Sequence, residues 1–179
     1  MSLRLFAALH VPEDIGEALQ SRQDGIPGAR WRPLEALHVT LRFFGEVRED
    51  LADDLDAELS MITAAPLDLE LQGVGAFGEG EDIHAVWAGV ADNAALRQLA
   101  ARCESAARKV GLKAETRAYK PHVTLAYLTR PDPARVAAWI QNHNLLHSPP
   151  FRVTSFGLYS SRLGPDGSVY RLERDYPLF

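Results

Sequence analysis

The amino-acid sequence predicts an α+β protein built as a duplicated, bilobal unit. Three observations point there. The tetrapeptide His-Val-Thr-Leu occurs at 38–41 and again at 122–125. The shift of 84 residues that lays His38 on His122 and Thr40 on Thr124 also lays Pro66 on Pro150 and Gly73 on Gly157, with no gap. Short β-rich runs alternate throughout with amphipathic helical stretches. Chance is a poor explanation of the repeat. With 6 His, 6 Thr and 24 Leu among 179 residues, about 0.03 copies of His-x-Thr-Leu are expected in the whole chain.

Residues 3–10, LRLFAALH, read as a buried strand closed by Pro12. A helix over 13–24 places Ile15 and Leu19 at i, i+4. ARWRP (29–33) is a short strand, and LHVTLRFFG (37–45) a longer one ending at Gly45. Residues 48–64 form an amphipathic helix with Leu51, Leu55, Leu59 and Ile62 on one face. Leu67, Leu69 and Leu71 alternate along a half-buried strand over 67–77. HAVWAGV (84–90) is another strand, and 93–112 a long helix stopped by Gly111. PHVTLAYL (121–128) is the second motif strand, and a helix over 132–143 comes after it. Strands over 151–163 and 169–178 close the chain, joined by a GPDG turn at 164–167. Each half is thus a motif strand, a helix, a Pro-started strand and a glycine. Two similar lobes result, and a pseudo-two-fold between them would bring the motif strands face to face. The whole of 1–179 reads as a single domain made of these two lobes.

Bulk composition narrows the function. A net charge of −5 excludes a molecule that binds nucleic acid over its whole surface, but leaves room for a local basic cleft. The single cysteine, Cys103, excludes a disulfide framework and a cysteine zinc site, and reads as a buried helical thiol. The N-terminal apolar run is too short for a signal peptide and contains Arg4, and no run reaches membrane-spanning length. A cytoplasmic protein is the expectation.

The motif carries the chemistry. Residues i and i+2 of a strand share a face, so His38 and Thr40 point one way while Val39 and Leu41 enter the lobe core. His122 and Thr124 repeat the arrangement. The duplication therefore predicts two imidazoles and two hydroxyls converging on one cleft. Imidazole offers both protonation states near neutral pH. One ring can take a proton from a nucleophile while the other gives one to a leaving group, each transfer worth about 10²–10⁴ in rate. Two threonine hydroxyls can donate to the non-bridging oxygens of a tetrahedral anion. This set suits in-line displacement at phosphorus with no metal, no cofactor and no covalent intermediate.

At these residues the chain resembles the 2H phosphoesterase superfamily, defined by two His-x-Thr-x motifs. It is most similar to the branch of RNA 2′,3′-cyclic phosphodiesterases, also called 2′-5′ RNA ligases. RLFAAL with a proline after it, the tryptophan before the first motif, LHVTLRFFGEV, GVGAF, PHVTLAY and the terminal YPL all fit that pattern. The resemblance implies two antiparallel sheets facing a central cleft, with helices outside. It implies hydrolysis of a terminal RNA 2′,3′-cyclic phosphate to a 2′-phosphomonoester, with His38 as proton donor to the leaving 3′ oxygen and His122 as the base that activates water. The pseudo-symmetry leaves these two roles open from the residues alone. Ligation would be the reverse reaction, a 5′-hydroxyl replacing water. The implied partner is RNA with a cyclic phosphate end, tRNA fragments included, bound by a monomer. Other 2H substrates, such as 2′-5′ oligoadenylate or cyclic ADP-ribose phosphate, and a non-catalytic RNA-end binding role stay open alternatives.

Branch members often carry an arginine shortly after the second motif, where this chain has Tyr127. Strand alternation puts Arg42 on the face of His38 and Thr40, which makes it the expected replacement charge, with Arg130 next. Phe43 stands five residues after His38, as Tyr127 does after His122, and could stack on a base or fill the core. Arg30 and Arg32 flank Trp31 and either touch RNA or cover a core tryptophan. His143 and His147 have i, i+4 spacing but no adjacent Glu and no third ligand, so they read as a solvated helix end. His10 and His84 read as unpartnered residues near strand ends, and GEGED (78–82) as a solvent turn.

Overall fold

A computed structural model describes residues 1–165 and 167–179. The strands are β1 (Ser2–His10), β2 (Arg30–Trp31), β3 (His38–Arg48), β4 (Leu67–Leu69), β5 (Leu71–Phe77), β6 (Ala85–Val90), β7 (His122–Tyr127), β8 (Phe151–Val153), β9 (Ser155–Gly164) and β10 (Gly167–Pro177). The α-helices are α1 (Glu13–Gln20), α2 (Glu49–Ser60), α3 (Ala94–Lys109) and α4 (Pro133–His143). Asn93 caps α3 by accepting from the Leu96 N–H at 2.9 Å, and Asp132 caps α4 by accepting from Ala134 N–H at 3.0 Å, ahead of Pro133. The GPDG turn expected at 164–167 includes position 166, which lies outside the described residues. On either side of it, Gly164 pairs with Gly167.

The duplication is legible in the structure. β3 and β7, α2 and α4, β4 and β8, and β5 and β9 begin at residues related by the same shift as His38 and His122. The mixed α+β class holds: a large antiparallel sheet in the order β10-β9-β1-β3-β7-β6-β5 carries β2 on β7, beside a small sheet of β4 and β8. Two details depart from two separate lobes. The two ladders, β10-β9-β1-β3 and β7-β6-β5 with β2, join through one pair, Val39 with Val123. The halves also exchange strands: β5 pairs with β6 of the second half, while β9 pairs with β1 of the first. This exchange explains why 67–77 and 151–163 each break after three residues. Leu67–Leu69 pairs with Phe151–Val153 in the small sheet, Asp68 opposite Arg152, and the continuation of each crosses to a different ladder.

One face of the large sheet is packed. Leu5, Ala7 and Leu9 of β1, Val39 and Leu41 of β3, and Val123 and Leu125 of β7 all lie in one buried cluster with Leu55, Leu59, Leu99 and Cys103 of the helices. Leu51 and Ile62, expected on the same face of α2, pack partly buried against that cluster. Helices α2 and α3 lie against each other and against β3, while α4 lies against β5. The other face, carrying the alternate residues, is left for the site. Among the described residues no helix is long and apolar enough to cross a membrane.

Candidate active site

The pocket opens where the two ladders meet, and both motifs line it: His38, Thr40, His122 and Thr124, with Arg32 and Tyr170 beside them. The expected alternation brings the four motif side chains together. Loop and strand are tied across the axis as well, since the Tyr119 hydroxyl donates to the Thr40 carbonyl at 2.8 Å.

The two histidines sit in unequal surroundings. His38 is buried, 7% exposed, with its ring 4.6 Å from that of Tyr159 and 5.7 Å from that of Tyr170. Its strand partner is His10, whose ring centroid lies 5.8 Å away. Burial first, then the electrostatic influence of the neighbouring His10 and Arg32 side chains, lower its pKa to about 4. The Ala36 carbonyl opposes this, although Nδ1 has no partner of full hydrogen-bond geometry among the described residues. His122 is half-buried. Its Nδ1 lies 2.7 Å from the Lys120 carbonyl, so Nδ1–H donates there and Nε2 is left for the cleft. Burial lowers its pKa, and the Lys120 carbonyl works against that shift. Its ring stands edge-on to Phe77 at 4.9 Å and 6.2 Å from Trp87.

A repeated β-bulge sets the direction of the residues after each motif. Ala8 pairs with Thr40 and Ala7 with Arg42, so Leu41 is an extra residue; Trp87 pairs with Thr124 and Val86 with Ala126, so Leu125 is its equivalent. Past the bulge the faces invert relative to strict alternation. Phe43 and Tyr127 come to the cleft and line the pocket. Arg42 goes to the packed side, where its counterpart Ala126 is wholly buried. Arg42 is therefore not the cleft arginine expected from alternation. Its Nε–H donates to Glu104 of α3 and Nη2 to the Lys113 carbonyl at 2.7 Å. Arg130 is not brought to the pocket either; it occupies an exposed turn with φ 46. Phe43 is 58% exposed at the rim and contacts Phe6 at 5.8 Å, so it does not fill the core.

Sequence left some cleft residues open and missed others. The cluster around Trp31 divides. Trp31 packs against Trp139, and Arg30 donates to the Thr129 hydroxyl at 3.0 Å. Arg32 turns into the pocket. His10 is not a bystander, because it faces His38. Tyr159 and Tyr170 come from the hairpin β9–β10, and β10 has no counterpart in the repeat, so symmetry gives no route to Tyr170. The signal for the bulge was present: Phe43 and Tyr127 stand five residues after equivalent histidines, an odd spacing that alternation alone cannot put on one face. His143 lies 3.1 Å from Arg22 and His147 2.8 Å from Glu70. Among the described residues no group of three or more His, Cys, Asp or Glu is placed to bind a metal ion.

Comparison with known proteins agrees with this geometry. The chain is 30% identical to the RNA 2′,3′-cyclic phosphodiesterase of Archaeoglobus fulgidus, over 94% of this chain and 97% of that protein. Its structure matches E. coli LigT complexed with 3′-AMP with a TM-score of 0.80 and 26% identity, covering 99% of each chain. It also matches the Thermus thermophilus protein TT0787 with a TM-score of 0.82 and 25% identity, over 98% of this chain and 97% of that one. The family model described as 2′-5′ RNA ligase superfamily matches residues 11–165, and with both His-x-Thr-Leu copies inside that span, the chain belongs to this superfamily.

Proposed function

We propose that this protein hydrolyses the terminal 2′,3′-cyclic phosphate of RNA to a 2′-phosphomonoester, without a metal. The observation that carries the reading is the convergence of His38, Thr40, His122 and Thr124 in one pocket. The name borne by the archaeal relative supports it. Water attacks phosphorus, its proton passes to His122, and the P–O3′ bond breaks as His38 delivers a proton to O3′. The products are a 2′-phosphate and a free 3′-hydroxyl. Thr40 and Thr124 donate to the non-bridging oxygens, which gain charge in the transition state. Phe43 and Tyr127 offer ring faces at the rim for the terminal base. With a 5′-hydroxyl in place of water the same groups would form a 2′-5′ linkage, the P–O3′ bond breaking and O3′ taking a proton as before. Because one chain supplies both motifs, the reading needs only a monomer.

The donor role for His38 carries a requirement. In the free protein its pKa of about 4 leaves it neutral at pH 7. The anionic phosphate of the substrate must raise that value on binding, against Arg32 and His10. The test is an RNA ending in a 2′,3′-cyclic phosphate, incubated with EDTA, with the product resolved as 2′- or 3′-phosphate. Turnover to the 2′-phosphate is expected. A 3′-phosphate product, or no turnover, overturns the reading.

A further inference from the structure

A phosphorane-like transition state carries more negative charge than one imidazolium balances, so the cleft needs a further fixed cation. The structure narrows the choice. Arg42 is committed to Glu104 on the packed face. Arg30 donates to Thr129, and Arg130 stands in an exposed turn. Lys120 lies exposed on the His122 side, its Nζ 4.8 Å from the Trp87 ring centre. Arg32 alone among these lines the pocket with both histidines and both threonines.

Its setting is rigid. Arg32 is 8% exposed. Its N–H donates to the Leu125 carbonyl at 2.8 Å, and the Gln23 side chain donates to the carbonyls of Arg32 (2.9 Å) and Leu125 (3.2 Å), fastening the end of β2 to the second motif strand. The guanidinium lies 5.5 Å from the Tyr127 ring centre and 5.2 Å from that of Tyr170. Ring faces hold a guanidinium in place while leaving its N–H edge to other acceptors. The Ser168 carbonyl takes one of those donors, at 3.4 Å.

We propose that Arg32 is the phosphate-binding arginine of this protein, donating to the non-bridging oxygens from between Tyr127 and Tyr170. The inference rests on the reaction proposed above. An arginine placed at 127 would reach the same spot from the neighbouring strand, because Arg30 pairs with Tyr127 and puts Arg32 over its ring. That gives the test. Arg32→Gln, Tyr127→Arg and the double variant are compared with wild type in three measurements: turnover of a nucleoside 2′,3′-cyclic phosphate, binding of inorganic phosphate, and thermal unfolding. Arg32→Gln should lower kcat/KM by about 10²–10³, the range for loss of one positioned donor. It should weaken phosphate binding at least about tenfold, as expected for a lost charge-assisted contact. In the double variant, at least about a tenth of wild-type kcat/KM should return. A folded Arg32→Gln with wild-type turnover and phosphate affinity overturns the proposal. If Arg32→Gln does not fold, Arg32→Lys decides. It keeps the charge and loses the planar fork, so a loss of about tenfold in kcat/KM is expected and wild-type kcat/KM overturns the assignment. Failure of the wild-type protein to turn over cyclic phosphates would sink the proposed reaction instead, and the phosphate-binding arm would still decide Arg32.

Discussion

The His38 side and the His122 side of the cleft started as copies and are now chemically different. Opposite His38 in the sheet stands His10; opposite His122 stands Gly89. Opposite Thr40 stands Ala8; opposite Thr124 stands Trp87. One imidazole is buried among tyrosines and near Arg32 and His10, and the other is half-buried with Nδ1–H on a carbonyl. The contrast teaches that duplication supplies matching groups while the neighbouring strands set their protonation. The proposed reaction needs an acid and a base, and two equivalent imidazoles would be neither in particular.

The sharpest test removes each side in turn. His38→Ala and His122→Ala should each lower kcat by at least about 10², and the double variant should be little worse than either, because groups acting as a unit are strongly non-additive. A histidine variant at wild-type rate would remove that residue from the mechanism. Thr40→Val and Thr124→Val come next. Loss of a positioned donor costs roughly 3 kcal/mol of transition-state stabilisation, and the near-isosteric change should leave the melting temperature almost unmoved. Unequal losses would show which side bears the developing oxyanion.

Arg42→Ala tests the bulge. Its side chain is 9% exposed and its Glu104 partner 23%, and breaking a buried pair by removing one member costs roughly 3 kcal/mol. The expected outcome is lower stability in chemical denaturation with kcat/KM unchanged. A folded variant with impaired turnover would return Arg42 to the site.

The most gradual effect is a slope. The folded-state pKa of His38 lies below the unfolded value of about 6.5, so the unfolded chain binds more protons in between. Stability is then full above about pH 6.5 and falls as pH drops toward 4, by up to about 3 kcal/mol for a shift of this size. His122, also lowered, contributes with the same sign. Denaturant unfolding at several pH values should show a shallower slope in His38→Gln. An NMR titration of His38 should report a value near 4 that rises when inorganic phosphate is added. If phosphate leaves it unmoved, the donor role passes to His122.

Much of the fold and of the cleft was legible in the chain. The repeat led to the expectation that the motif strands face each other, and in the structure the equivalent residues Val39 and Val123 pair. The inward and outward sets of His-Val-Thr-Leu came from strand period alone. What failed was the assumption that the period continues. A bulge inserts one residue, hinted at here only by the odd five-residue spacing of Phe43 and Tyr127, so alternation assigns Arg42 to the wrong face and prefers it to Arg32. The strand exchange was invisible for a different reason. Sequence shows where strands are, but which neighbour they choose depends on long-range packing.

The pair at the centre of the small sheet has a consequence of its own. Asp68 and Arg152 occupy equivalent positions in the repeat, pair as strand neighbours and approach to 3.1 Å. In a half-length ancestor assembling as a symmetric homodimer on this axis, the residue at that place would meet its own twin, and any charge there would repel itself. Joining the two copies in one polypeptide lifts that prohibition. A site on the dyad can then hold two different residues, an acid against a base, and off the dyad His10 beside His38 can stand against Gly89 beside His122. Covalent linkage of the halves is thus what lets a two-fold arrangement acquire a direction, as the proposed reaction requires of its leaving and incoming oxygens.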